Sequence, residues 1–266
     1  MRDDSELSIA GLQNKLLLVR DSSGTWARPA GGMPSTHILK VEDPRYPGLV
    51  EAEVAATELA QQLGLTNTNP RLETIGSVPC IIVERFDRAS VNGSVIRLHQ
   101  EDLCQALGTD HEANRGRGKY QSAGGPSLAQ VARLLGEQAA DPIGQIALLA
   151  KYMTFTVAIG NADAHGKIVG LLHDQTGSTS LSPLYDAVPT VLWPNLRAEP
   201  AMSIGRAQTL SQVTRLDLEA EVAQWPAPAR ASALAAIDAT AAEMESAPVV
   251  HAGLAGQIAA ALARIR

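Results

Sequence analysis

The apolar positions of this chain follow two rhythms. Over the first third they come in short runs: residues 16–19, Ile38, Leu39 and Val41 around Lys40, and the nearly continuous Val78, Cys80, Ile81, Ile82 and Val83. These read as strands, the last of them central in a sheet. Among them Val50, Val54, Ala55, Leu59 and Leu63 recur at helical spacing and Gly64 stops the run, which predicts one helix over residues 50–63. The strand around Ile81 ends in Glu84, Arg85, Phe86, Asp87 and Arg88, and Asn92-Gly93 follows. A strand that leaves the core and turns polar reads as a link between two lobes. From Gln100 onward the pattern is helical, over residues 101–107, 127–135 and 142–159, then in alanine-rich stretches over 216–222, 226–245 and 249–265 with Pro226, Pro228 and Pro248 near their starts. Strands first and helices afterwards predict an α+β fold in two lobes.

Composition narrows the class without changing that outline. The 266 residues, 45% of them hydrophobic, suffice for one large domain or two lobes sharing an interface. Aromatic content is 3%, so the core is expected to be aliphatic and alanine-rich. A net charge of -6 argues against broad electrostatic binding of nucleic acid, and no direct contact with DNA or RNA is expected. Cys80 and Cys104 sit among apolar neighbours in no metal or redox spacing and read as reduced core residues of a cytoplasmic protein. The start is charged and lacks the apolar run of a signal peptide, and the longest apolar stretch is broken by Lys151, so no membrane anchor is expected. A polar insert over residues 109–125, with Arg115, Arg117 and Lys119, reads as a mobile loop carrying solvated cations.

Candidate chemistry concentrates in the loop 160–167, GNADAHGK, held between two apolar segments. It holds Asp163, His165 and Lys167, and Asp186 follows at the end of PLYD. Phosphoryl transfer needs one carboxylate to orient and deprotonate the acceptor hydroxyl and another to hold magnesium. Asp163 and Asp186 fit that division; they fit equally a loop cap and a turn former. Lys40 shares a strand face with Ile38, and a lysine turned inward needs an anionic partner. Glu53, early in the predicted helix, could reach such a lysine or could be one of several solvated glutamates beside Glu51 and Glu58. The small residues from Ser8 to Gly11 could let backbone N–H groups approach an anion, or could be a plain strand-entry turn.

Taken together, the motifs closely resemble the HipA family of bacterial toxin kinases, the partners of HipB antitoxins. They are SIAGLQNK (8–15), STHILK (35–40), Glu53 in its helix, VERFDR (83–88), HQED (99–102) with QALG (105–108), KY (119–120) with GGP (124–126), GNADAHGK (160–167) and PLYD (183–186), all in order. The resemblance spans residues 7–205. It implies a bilobal protein-kinase-like fold, with a β-rich N-lobe over 1–90 and a helical C-lobe over 91–266.

The resemblance also implies roles. Ser8, Ile9, Ala10, Gly11 and Gln13 would form the phosphate loop, with Ser8 the autophosphorylated residue. Lys40 would meet the α/β-phosphates of ATP beside Glu53, and Glu84 with Phe86 would be the hinge that meets adenine through backbone groups. Asp163 would be the catalytic base, in a catalytic loop shared with His165 and Lys167, and Asp186 the Mg2+ ligand. The expected function is an ATP-dependent serine/threonine kinase, the toxin of a HipA/HipB-type system, acting on a translation component such as an aminoacyl-tRNA synthetase. Its expected partner is a HipB-like DNA-binding antitoxin.

Two departures qualify this. The family loop usually runs Asp-x-His-x-Lys-Asn, its Asn a second metal ligand, whereas here the position is Ile168; a catalytically weak pseudokinase serving as a nucleotide- or antitoxin-binding module is therefore the alternative, with a small-molecule phosphotransferase on the same fold a third. Full-size members also carry an N-terminal subdomain ahead of the phosphate loop, so that part is expected to be absent or supplied by a separate small protein.

Overall fold

The computed structural model describes residues 15–20, 24–174 and 177–266. Its N-terminal part is a five-stranded antiparallel sheet of order β2-β1-β3-β5-β4, built from β1 (Lys15–Arg20), β2 (Trp26–Ala27), β3 (His37–Val41), β4 (Arg71–Ile75) and β5 (Val78–Glu84). Helix α1 (Leu49–Gln62) enters between β3 and β4. Alternation separates two faces. Leu18, Leu39, Cys80 and Ile82 form a small core on one of them. The other carries Lys15, Ile38, Lys40 and Ile81, because Lys15 and Ile81 both stand directly opposite Lys40 in the ladder. Strand β5 is interior, as its continuous apolar run predicts, whereas β4 is exposed along its length and carries Arg71 and Glu73, charges suited to a free edge.

The polar segment that follows β5 is a structured hairpin. Strands β6 (Arg88–Val91) and β7 (Ser94–Arg97) pair across Asn92-Gly93, both in the left-handed region at φ 50° and 75°. This is the backbone that a two-residue hairpin turn demands and that Asn-Gly supplies at little strain.

The next segment corrects one sequence expectation. Residues 101–107 are not one helix: β8 (His99–Asp102) comes first, and α2 (Leu103–Ala106) follows. The Asp102 carboxylate accepts from Gln105 N–H at 2.9 Å and the Gln105 amide oxygen from Asp102 N–H at 2.9 Å. That reciprocal cap fixes the helix start at Asp102 and leaves Glu101 to the ladder. Strand β8 joins β9 (Gly170–His173) and β10 (Thr179–Leu181) in a small antiparallel sheet of order β10-β9-β8.

The polar insert departs from expectation too. It contains the short turn α3 (Ala113–Gly116) and then docks against the loop 160–167: Lys119 O accepts from Gly166 N–H at 3.1 Å. A Cβ on Gly166 would lie 2.7 Å from the Pro126 ring and 2.9 Å from Cys104 Sγ, so only glycine permits this approach.

Helices α4 (Leu128–Gln138), α5 (Pro142–Ile159), α6 (Arg215–Val222), α7 (Arg230–Ser246) and α8 (Ala252–Ile265) make up the rest. Helix α5 is long and apolar enough to cross a membrane by composition, but Ile146, Leu149, Met153, Phe155 and Ile159 bury themselves among α4, α7 and α8. It is the central core helix, apolar around its circumference because it is surrounded. It ends at Gly160, φ 77°, where a Cβ would fall 2.2 Å from Val191. The chain therefore turns off the helix axis at that point and presents the loop toward the sheet.

Candidate active site

Three elements meet where the sheet faces the helical part. Lys40 on β3 donates to Glu53 Oε1 on α1 and to Asp186 Oδ1 in the segment after β10. Lys15 lies 3.6 Å from the other Asp186 oxygen. All four are largely buried, and Glu53 is 1% exposed. Burial works against the charge on Lys40, yet Asp186 and Glu53 together hold its pKa above that of an ordinary lysine. Burial would likewise raise the Asp186 carboxyl, but Lys40 and Lys15 hold it far below the usual carboxylate range. Glu53 goes the other way: burial pushes its carboxyl up despite Lys40, and its second oxygen has no partner among the described residues.

Asp186 sits at φ 58°, an uncommon conformation for a residue with a side chain. Its carbonyl accepts from Asn161 Nδ2 at 3.2 Å, and Asn161 Oδ1 accepts from the backbone N–H of Asp163 at 3.1 Å. Asn161, buried, thus ties the segment bearing one carboxylate to the loop bearing the other.

Asp163 is half-buried. Its Oδ1 accepts from the Tyr120 hydroxyl at 2.6 Å, and its Oδ2 is 3.9 Å from His165 Nε2. Tyr120 is fixed on several sides, with the Arg197 guanidinium 4.5 Å and the Lys119 ammonium 5.2 Å from its ring centre and the His165 ring edge-on at 5.5 Å. Burial, the hydrogen bond and the Asp163 charge push its hydroxyl far above the ordinary phenol range, so it remains a donor. Changing Tyr120 to phenylalanine leaves Asp163 Oδ1 without this donor and should cost about 2 kcal/mol in urea unfolding, the scale of a hydrogen bond to a charged group.

His165 is buried, and its Nδ1 accepts from Lys167 N–H at 3.2 Å, which leaves the ring proton on Nε2. Burial pushes its pKa down to about 4, against the opposing charge of Asp163. The unfolded chain takes up this proton near pH 6.5 and the folded chain only near pH 4. The stability that neutral His165 contributes is therefore complete above pH 6.5 and lost as pH falls from there to 4. That difference corresponds to roughly 3 kcal/mol, and urea titrations of wild type and His165→Gln across this range should show it only in the wild type.

The other anticipated residues lie further out. The Lys167 ammonium is 2.9 Å from Asp102 Oδ2, so its ion pair is with the helix cap and not with Asp163. Glu84 is exposed at the end of β5, and the Phe86 ring stacks on Tyr185 at 5.1 Å between centres. Asp87, which follows Phe86, is clamped by Arg85 and Arg88, and Arg88 Nε donates to Ser35 O at 2.7 Å. This stitches the Glu84–Phe86 segment to the start of β3. Ile168 is 9% exposed, and its side chain offers no oxygen. Ser8, Ile9, Ala10, Gly11 and Gln13 lie outside the described residues.

Sequence reasoning gave no role to Lys15 or Tyr120, although both fall in quoted motifs. The only signal for Lys15 was its alternation with Leu17; that it stands opposite Lys40 depends on strand register.

The arrangement can hold an anion against one or two ammonium groups, offer a carboxylate to a cation at Asp186, and present a second carboxylate, aimed by Tyr120, to a proton. The HipA-like C-terminal domain model matches residues 7–248. The candidate kinase Y4mE of Sinorhizobium fredii is 39% identical over 78% of this chain and 48% of its own length. The serine/threonine-protein kinase toxin HipA of Shewanella oneidensis is 32% identical over 74% of this chain and 46% of its own. The chain thus spans about half the length of these relatives. Among solved structures, HipA of Shewanella oneidensis, in a complex with HipB and operator DNA, superposes over 100% of this chain and 66% of its own, at a TM-score of 0.76 and 27% identity. The proinflammatory kinase CtkA of Helicobacter pylori superposes over 87% of both chains at 0.50 and 14% identity, a likeness of fold alone. The fold is bilobal and kinase-like, a curled sheet set on a helical lobe.

Proposed function

Because this chain belongs to the HipA-like C-terminal domain family, we propose that it is an ATP-dependent serine/threonine protein kinase, the toxin of a HipA/HipB-type system. The observation that carries this reading is the buried Lys40, Glu53 and Asp186 cluster next to Asp163. The division into lobes falls near residue 90.

The donor set fits the ligands. Asp186 offers Mg2+ the hard carboxylate oxygen it prefers, and the unpartnered oxygen of Glu53 leaves that carboxylate able to keep Lys40 when a phosphate competes for it. Magnesium at Asp186 would screen the charge of the phosphates. Lys40, held by Glu53, would bind the α/β-phosphates, and Asp186 would hold the metal. The backbone beside Glu84 and Phe86 would meet adenine, and Ser8, Ile9, Ala10, Gly11 and Gln13 would serve as the phosphate loop, as the family resemblance implies. Asp163 accepts the proton of the acceptor hydroxyl, oriented by Tyr120. His165, neutral, adds no positive charge beside that carboxylate, and Lys167 anchors the loop through Asp102.

By analogy with the family, the acceptors are a component of translation such as an aminoacyl-tRNA synthetase and, in autophosphorylation, Ser8. The partner is a HipB-like DNA-binding antitoxin; the setting is the cytoplasm, without membrane or direct nucleic-acid contact. The test is the intact mass of unphosphorylated protein after incubation with ATP and magnesium, for wild type and Asp163→Ala. One added phosphate in the wild type only, mapped to the Ser8 loop, is expected. No gain in either protein, or an equal gain in both, would overturn the reading.

Ile168 favours one second reading, a weak or inactive kinase that binds nucleotide or antitoxin. A buried aliphatic side chain stands where the family loop carries an amide oxygen for metal. Ile168→Asn should then raise magnesium affinity and turnover; unchanged values would show that the residue is no handicap.

A further inference from the structure

Among the described residues outside the Asp163 and Asp186 region, one cluster of ligating side chains is used by none of the chemistry above. His99 on β8 and His173 on β9 stand directly opposite in the ladder, and Glu101, two residues along from His99, shares their face. The two imidazole rings are 4.9 Å apart between centres, and His173 Nε2 is 2.8 Å from Glu101 Oε2. One nitrogen of each histidine and one oxygen of the glutamate all lie within 4.8 Å of one another. Glu101 and His173 are half-buried and His99 is exposed, so the cluster opens to solvent on one side.

We infer that His99, Glu101 and His173 form a binding site for a divalent transition-metal ion of the zinc type. Two imidazoles and one carboxylate are the ligand set of open zinc sites, in which a fourth position is left to water. Tetrahedral bonds of about 2.1 Å place ligand atoms roughly 3.4 Å apart, so closing the cluster needs shifts of about an ångström in side chains with room to move. An outer contact is also in place. Thr179 Oγ1 lies 3.3 Å from His173 Nδ1, and with Nδ1–H donating to it, Nε2 is left unprotonated toward the centre.

The nitrogen ligands separate this site from the one at Asp186. Imidazole suits zinc, cobalt and nickel, whereas magnesium takes oxygen donors and keeps its waters. The placement gives the site a consequence. Strand β8 runs directly into Asp102, which caps α2 and pairs with Lys167, and β9 begins just past the loop 160–167. A metal bridging His99 and His173 clamps the two strands that flank that loop, whether or not the chain is a kinase.

The experiment is calorimetric titration of the purified full chain with Zn2+ in the presence of excess Mg2+, for wild type, His99→Ala, His173→Ala, Glu101→Gln and the control His111→Ala. One equivalent of zinc is expected in the wild type and in the control. Affinity should fall by about 100-fold in either cluster-histidine variant and by about ten-fold in Glu101→Gln. Melting curves without metal establish that each variant is folded, and zinc should raise the melting temperature of wild type and control most, of Glu101→Gln less, and of the two cluster-histidine variants least. No zinc binding by the wild type, or full binding in both His99→Ala and His173→Ala, would overturn the site.

Discussion

Replacing Asp163 with asparagine is expected to reduce phosphoryl transfer by about a thousand-fold, the scale of a lost general base, while fold and nucleotide affinity stay close to wild type. The substitution is nearly isosteric, and the amide oxygen can still accept from the Tyr120 hydroxyl that is 2.6 Å from Asp163 Oδ1. The Asn161 contact to the Asp163 backbone is untouched. What is lost is the capacity to take a proton. Single-turnover phosphorylation, ATP affinity by calorimetry and the melting temperature separate these effects. Turnover within ten-fold of wild type would remove Asp163 from the chemistry, and a large loss of ATP affinity would make it a binding group instead.

Removing Lys40 is expected to act on stability as strongly as on binding. Lys40→Ala leaves Glu53 and Asp186 buried and facing one another without the cation that both now share. Breaking a buried ion pair by deleting one partner costs about 3–5 kcal/mol, because the remaining charge is neither solvated nor compensated. Lys15, 3.6 Å from Asp186 and also attracted to Glu53, relieves the two carboxylates only in part. Urea unfolding at pH 7 should show the loss, and adding Glu53→Gln should recover part of it.

The pH dependence carries a definite sign. In the wild type the Asp186 carboxyl is held far below its ordinary range, so the stability it contributes is present above pH 3.8 and lost as pH falls through its folded value. In Lys40→Ala the two carboxylates favour their protonated forms, so lowering the pH toward 4 relieves them and the gap between variant and wild type should narrow. A gap constant with pH would mean that packing, not charge, is what Lys40 supplies. ATP affinity should fall as well; unchanged affinity would take Lys40 out of the nucleotide site.

Part of this was legible in the residues alone. The periodicity of Val50, Leu59 and Leu63 marked α1, and the run from Ile146 to Ile159 with Gly160 behind it marked α5, whose bounds 142–159 the structure reproduces. These signals are local: a helix is specified by contacts three and four residues apart and by its caps, all present in one short window. The same window misled at residues 101–107, where apolar spacing suggested a helix but the Asp102 cap and the pairing with β9 made the first half a strand. Asn92-Gly93 was read as a loop feature, although its left-handed pair is what closes a hairpin.

Other features depended on distance along the chain. That Lys40 needed an anion followed from strand alternation, but that Asp186, 146 residues later, joins Glu53 in supplying it did not. The pairing of Lys15 with Lys40 is set by register, which a shift of one residue would reverse. Tyr120 reaches Asp163 across 43 residues because an insert read as a mobile loop is pinned by the close approach at Gly166. His99 and His173 become candidate ligands only because β8 and β9 are neighbours. The sequence by itself determined which elements form, where the chain must turn and which residue types could carry chemistry, since helix periods, caps and alternation are short-range physics. Only the tertiary structure decided which of those residues meet, because the partners of a buried charge are chosen by whichever segments pack around it.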